Sequence, residues 1–250
     1  MNPLYILYNE ALYRPLLNGL VWFYTSLPWQ DLGLAIVALT IAIRLILAPF
    51  LWKGQKAQKD LAAIQPEIKQ IQERFKGDRE TQGKAIMELY AKHKVSPFSG
   101  CLMMLVQLPV LIALFRVFQL GINPAELKYL YSFITNPGAI NPISFGVINL
   151  AKGNIFLGVV AALAQYFQTK LITPVSAPST GKADFSRIIQ WQTTYFFPAL
   201  ILLWSYTLPS ALTLYWTMMS ILGIVQEIIS RIISKHGPGT YQTRTKDIAG

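Results

Sequence analysis

The chain has 250 residues, 53% of them hydrophobic and 14% charged, with a formal net charge of +10. Soluble domains carry about 25% charged residues, so this balance excludes an ordinary soluble protein and points to an integral membrane protein. One cysteine, Cys101, excludes an internal disulfide and a multi-cysteine metal site.

Residues 3–27, PLYILYNEALYRPLLNGLVWFYTSL, mix leucines and aromatics with Glu10, Arg14, Pro15 and Asn18. These interruptions speak against a span, and residues 1–30 are expected to form an amphipathic helix at the outer face. A sixth span is the alternative. The stretch 32–52, LGLAIVALTIAIRLILAPFLW, has 21 residues and one charge. It is long enough to cross a hydrocarbon core of about 30 Å. Its charge is Arg44, eight residues from Trp52, or roughly 12 Å along a helix, too deep for easy snorkelling. A charge at that depth costs roughly 2.5–3.5 kcal/mol on insertion scales and ordinarily faces a bundle interior or a watery cavity. Arg44 is therefore the first candidate functional residue.

Segment 53–100 holds ten Lys and Arg. Within it Leu61, Ile64, Ile68, Ile71 and Phe75 repeat at the spacing of a helix seam. Gly77-Asp78 reads as a turn, and a second helix follows from about Arg79 to Lys94, with Ile86, Leu89 and Tyr90 on its apolar side. The expectation is a helical hairpin, with Pro66 kinking its first helix or starting a new one. It serves either as a spacer with a solvated surface or as a docking site. A second span covers 101–120, a third 155–172. The apolar stretch 191–233 is too long for one helix and is divided by Pro209 into spans 191–208 and 210–233. Segment 121–152 is an outer loop, 173–190 a cytoplasmic loop, and 236–250 a short basic tail. The membrane core so defined is 31–235.

With five spans, seventeen Lys and Arg fall on the side of segments 53–100, 170–190 and the tail, against Arg14, Lys128 and Lys152 on the other. The positive-inside rule then puts the N-terminus outside and the C-terminus in the cytoplasm. Arg116 lies near the outer end of its span and can snorkel.

Narrow polar stripes run through the apolar spans. Thr40 and Arg44 share a face of the first, Gln165, Gln168 and Thr169 of the third, and Thr213, Trp216, Thr217 and Ser220 of the fifth. Gln107 stands alone in the second. Polar groups are costly in hydrocarbon, so the stripes are expected to converge. Any one of them can be interhelical glue. Arg44 argues for more, because no acidic residue lies at its depth: Glu227 is near the cytoplasmic end of the fifth span and Asp31 at the outer end of the first. A positive, hydrated cavity open to the cytoplasm would receive a negatively charged, polar segment from that side. His93 and His236 are far apart, and no nucleophile–base pair or metal motif is present. An enzyme and a cofactor are not expected.

Four stretches carry a resemblance. TIAIRLILAPF (Thr40–Phe50), QPEIKQIQERFKGD (Gln65–Asp78), ELYAKHKVSPFSGC with QLPVLIALFRV (Glu88–Cys101 and Gln107–Val117), and LPSALTLYW (Leu208–Trp216) follow one another as in the YidC-type membrane protein insertases. The chain resembles that family over roughly residues 20–235, as a bacterial short form without the large extracytoplasmic domain. It departs at Met103, where a proline is common, and at Ser210-Ala211, which replaces a small Ala-Gly pair. The resemblance implies an all-α, multi-pass protein of the bacterial cytoplasmic (inner) membrane. Five spans surround a cytoplasm-open hydrophilic groove in which Arg44 is the groove arginine. Gln165 and Trp216 are similar in placement to groove-lining residues, and Gln107 more weakly so. It implies insertion of nascent membrane proteins into the lipid bilayer, alone or beside the Sec translocon, without nucleotide hydrolysis, with the ribosome as a further candidate partner and no direct nucleic-acid contact. The alternative from the residues alone is a small anion transporter or channel with Arg44 as its binding charge. The missing internal repeat and the long hairpin count against that alternative.

Overall fold

The computed structural model describes residues 3–96, 99–120, 123–172 and 191–236. The chain starts with α1 (Pro3–Tyr8) and α2 (Arg14–Ser26), joined without a break by a wider turn, Asn9–Tyr13, in which the Arg14 amide donates to Asn9 O. The extra residue in that turn immediately precedes Pro15, whose ring cannot sit in a regular ladder. The same solution recurs at Gln192–Phe196, just before Pro198.

The amphipathic segment packs its apolar face on protein. Tyr13, Leu17, Leu20, Val21 and Tyr24 are buried in one core with Leu32, Ala35, Ile36 and Leu39 of α3 (Leu32–Ala63), and with Leu114, Val117 and Phe118 of α6 (Ser99–Leu120). Trp22 on its other side is half exposed.

α3 is longer than the 32–52 span. Its ladder continues through Pro49 and past the apolar stretch to Ala63. Nothing in 53–63 breaks a helix, and the break comes at Ile64, just before Pro66 in the first turn of α4 (Gln65–Arg74). Asp78 then caps α5 (Arg79–His93) through Thr81 N at 3.1 Å, and Lys94 ends it in the left-handed region at φ 54°. α4 and α5 form a hairpin around Ile64, Ile68 and Leu89, with Ile71, Ile86, Tyr90 and Val95 against them. The expected seam is cut at both ends: Leu61 belongs to α3, Phe75 lies beyond α4, and neither joins this cluster.

Beyond α6, the segment from Asn123 to Asn154 folds over one end of the bundle. It contains a short two-stranded hairpin, β1 (Ile143–Ser144) with β2 (Ile148–Asn149). α7 (Ile155–Ile172), α8 (Phe197–Trp204) and α9 (Ser210–His236) complete the fold. Pro209 marks the turn between α8 and α9 as expected. Helix preceding it ends at Trp204, not 208, and residues 205–207 form the turn. Among the described residues three helices are long and apolar enough to cross a membrane: Leu32–Ala63, Ile155–Ile172 and Ser210–Ile233. Gln107–Gln119 is a shorter apolar segment. The protein is mostly helical.

Candidate functional site

Side chains of α3, α7 and α9 come together around Arg44. The residue is 9% exposed. Its Nη1 donates to the Met219 carbonyl at 3.0 Å and its Nη2 to Gln226 Oε1 at 3.0 Å. Gln226 in turn donates to Gln55 Oε1 at 2.9 Å. The guanidinium thus has acceptors, but all of these are uncharged, and no carboxylate lies within ion-pair distance among the described residues. A guanidinium keeps its proton in a protein, so a net positive charge stays inside the helix cluster.

Gly223 lets this arrangement form. A Cβ there would stand 2.0 Å from Gln168 Nε2 and 3.2 Å from Arg44 Nη2, so both side chains border the notch left by the missing methyl. One helical turn away, Ser220 donates to Gln165 Oε1 at 3.0 Å, and Gln165 Nε2 reaches Thr169 Oγ1 at 3.3 Å. Arg44, Gln165, Gln168, Thr169 and Ser220 therefore occupy one neighbourhood.

The other candidate residues lie differently. Thr40 donates to Ile36 O at 2.6 Å, and Thr217 to Thr213 O at 2.9 Å, so these hydroxyls are satisfied along their own helices. Thr213, the carbonyl partner of Thr217, is itself buried on α9. Gln107 donates to the Tyr215 hydroxyl at 2.6 Å and ties α6 to α9. Trp216 stacks on Trp204 with ring centres 6.2 Å apart. Arg116 does not reach out to water alone: it donates to the Tyr5 hydroxyl at 3.2 Å and lies over the Tyr13 ring at 5.0 Å.

Four residues of this neighbourhood were missing from the sequence reading. Gly223 and Gln226 continue the α9 face one and two turns past Ser220, and Met219, just before Ser220, contributes its backbone carbonyl. Following the 213–217–220 spacing further would have found that face. Gln55 was missed because it lies beyond the apolar stretch, on the part of α3 that no hydropathy pattern marks. The same extension reaches Glu227, which is 2% exposed. Arg231 Nε donates to its Oε1 at 2.8 Å, and Lys59 Nζ stands 3.0 Å from its Oε2 while bonding Ser230 Oγ. This cluster ties the far part of α3 to α9 and keeps the nearest carboxylate on that face occupied with cations other than Arg44.

At the opposite end of α3, Asp31 caps the helix through Leu34 N at 3.0 Å. It also accepts from Ser144 Oγ at 2.7 Å and from Phe145 N at 2.6 Å. Burial pushes its carboxyl pKa up, but these hydrogen bonds outweigh burial and leave it below the usual range.

Together these features define an α-helical membrane protein with a buried arginine set among uncharged polar groups from three helices. The family description 60Kd inner membrane protein matches residues 22–236. A relative in Fusobacterium nucleatum, named membrane protein insertase YidC, is 32% identical over 79% of this chain and 84% of its own length. Proteins of the same name in Geobacter sulfurreducens and Campylobacter jejuni are 31% and 32% identical over 88% and 81% of this chain. The chain spans only 37% and 35% of those longer proteins. A crystal structure described as an active YidC insertase with its first transmembrane domain resolved superposes with a TM-score of 0.56 at 27% identity, over 87% of this chain and 46% of that one. The chain belongs to the 60Kd inner membrane protein family.

Proposed function

We propose that the chain is a membrane protein insertase that accepts hydrophobic segments and short polar tails of nascent proteins from the cytoplasm and passes them into the bilayer. In this reading α3, α6, α7, the helix ending at Trp204 and α9 are its five spans. The N-terminus is outside, the α4–α5 hairpin and the C-terminus are cytoplasmic, and the polar faces of α3, α7 and α9 border a groove open to the cytoplasm. One observation carries the reading: among the described residues the Arg44 charge is held by neutral acceptors only. An ion pair would have cancelled the field; amide and carbonyl oxygens orient the guanidinium and leave its charge to act on a polar or acidic client segment. Lowering the cost of bringing such a segment to bilayer depth needs no nucleotide and no covalent step. The names carried by the relatives support the same activity, and the Sec translocon and the ribosome are its proposed partners.

The test is rescue. Bacterial cells depleted of their own insertase should regain membrane insertion of client proteins when this chain is expressed. A chain that reaches the membrane in normal amount and rescues no client would refute the proposal.

A further inference from the structure

The Leu32 end of the bundle carries a surface that client insertion does not call on. From Tyr129 to Ala151, 23 consecutive residues contain no charge. Surfaces that face water are ordinarily about a quarter to a third charged. This segment is not a loose loop. Asn18 donates to Tyr129 O at 3.2 Å and accepts from Tyr131 N at 2.6 Å. The Tyr24 hydroxyl accepts from Asn141 N at 3.1 Å, and Asp31 holds Ser144 and Phe145. Ala211 N bonds Leu150 O at 3.0 Å. Three helices therefore fix the segment in place.

Its apolar tips nevertheless point away from the protein. Phe133 is 79% exposed, Phe145 66% and Val147 83%. The hairpin turn is tight, with φ 51° at Phe145 and 70° at Gly146, and Val147 N closes it on Ser144 O at 3.0 Å. Glycine, asparagine or aspartate ordinarily fills the first of these positions, and a phenylalanine there is a strained choice. Strain of this kind gathers at functional positions, and the large ring presented here is left uncovered by the protein.

The height of the turn identifies what covers that ring. Asp31, which grips it, is the residue immediately before the apolar stretch of α3. Other aromatic side chains are exposed at this same end: Trp29, Phe156 at the start of α7 and Tyr206 after α8. Aromatic rings gather at the level of lipid headgroups. We infer that the Ser144–Ile148 hairpin is a rigid membrane-surface anchor, which seats Phe145 and Val147, with Phe133 beside them, in the headgroup–acyl boundary of the leaflet at the Leu32 end of α3. The inference rests on reading α3 as a span and does not depend on which client, if any, the protein inserts. A second copy of the chain could also cover apolar tips. Continuity with the aromatic belt and level placement with Leu32 favour lipid.

Depth-dependent quenching tests the assignment. Single cysteines are placed by Val147→Cys or Phe133→Cys in a Cys101→Ser background and labelled with an environment-sensitive fluorophore. The full chain is then reconstituted into phosphatidylcholine–phosphatidylglycerol vesicles. Gly83→Cys, on the polar α5, serves as the water-facing control. Both test labels should emit to the blue of the control. They should lose most of their emission to a lipid nitroxide near the headgroup and little to iodide present on both sides of the membrane, with the control showing the reverse. Iodide quenching of either test label to the control's level would overturn the anchor. So would protection from both quenchers, which would mean that protein covers the tips. Rescue of insertase-depleted cells is an independent reading, so failure of the anchor and failure of the insertase assignment are distinguishable.

Discussion

Gly223 is the residue on which the geometry around Arg44 turns, although it carries no functional group. A methyl there would collide with the Gln168 amide. That amide is the far end of a flexible side chain, so it can swing away. Gly223→Ala should therefore cost about 1 kcal/mol of stability, at the low end for overpacking, and should displace Gln168 from the notch beside Arg44. Combining it with Gln168→Ala should recover most of that loss. Thermal unfolding of the two single variants and the double in detergent checks this, and simple additivity of the two losses would argue against the contact. Arg44, Gln165, Gln168, Thr169 and Ser220 were all legible in the sequence, because polar residues at helical spacing in apolar spans are few. That the Thr40 and Thr217 hydroxyls are satisfied along their own helices was not, because a hydroxyl that bonds its own helix looks the same in sequence as one that bonds another. Gln226 escaped notice for a different reason: it lies where α9 turns amphipathic and polar residues stop being rare.

At the scale of elements, apolar stretches gave good bounds where a breaker stood beside them, as at the start of α9 just after Pro209. They failed where hydropathy changed without one. α3 leaves the apolar stretch near Trp52 and stays helical to Ala63, because backbone hydrogen bonding does not depend on side-chain polarity. The contact between α3 and the β-hairpin was also invisible, since it depends on Asp31 meeting Ser144 and Phe145, 113 and 114 residues away. Asp31 is held below its unfolded pKa, so its contribution to stability is fully present above that value, about 3.9, and is lost as pH falls through the lower folded value. Wild-type protein should therefore lose thermal stability between about pH 5 and about pH 3 by more than Asp31→Asn does. Equal losses would remove Asp31 from the account. At neutral pH Asp31→Ala should cost about 1–3 kcal/mol, since Ser144 and Phe145 lose their buried acceptor.

For the whole molecule, the seventeen-to-three distribution of Lys and Arg sets the proposed orientation. A cysteine introduced by Gly83→Cys, with Cys101 replaced, should resist an impermeant reagent in intact cells and react once the cells are opened. Labelling in intact cells would reverse the topology and close the groove to cytoplasmic clients. Orientation and a buried charge lead to the central claim, that the Arg44 charge lowers the cost of bringing polar client segments to bilayer depth. The most direct measurement is insertion of several clients with acidic outer tails, in cells depleted of their own insertase, with the membrane level of each variant measured alongside. Arg44→Lys should retain most activity, because a point charge suffices where no bidentate geometry is required. Arg44→Ala should lose it at an unchanged protein level. Full activity of Arg44→Ala across those clients would contradict the account, and a loss matched by loss of the protein would assign Arg44 to folding instead.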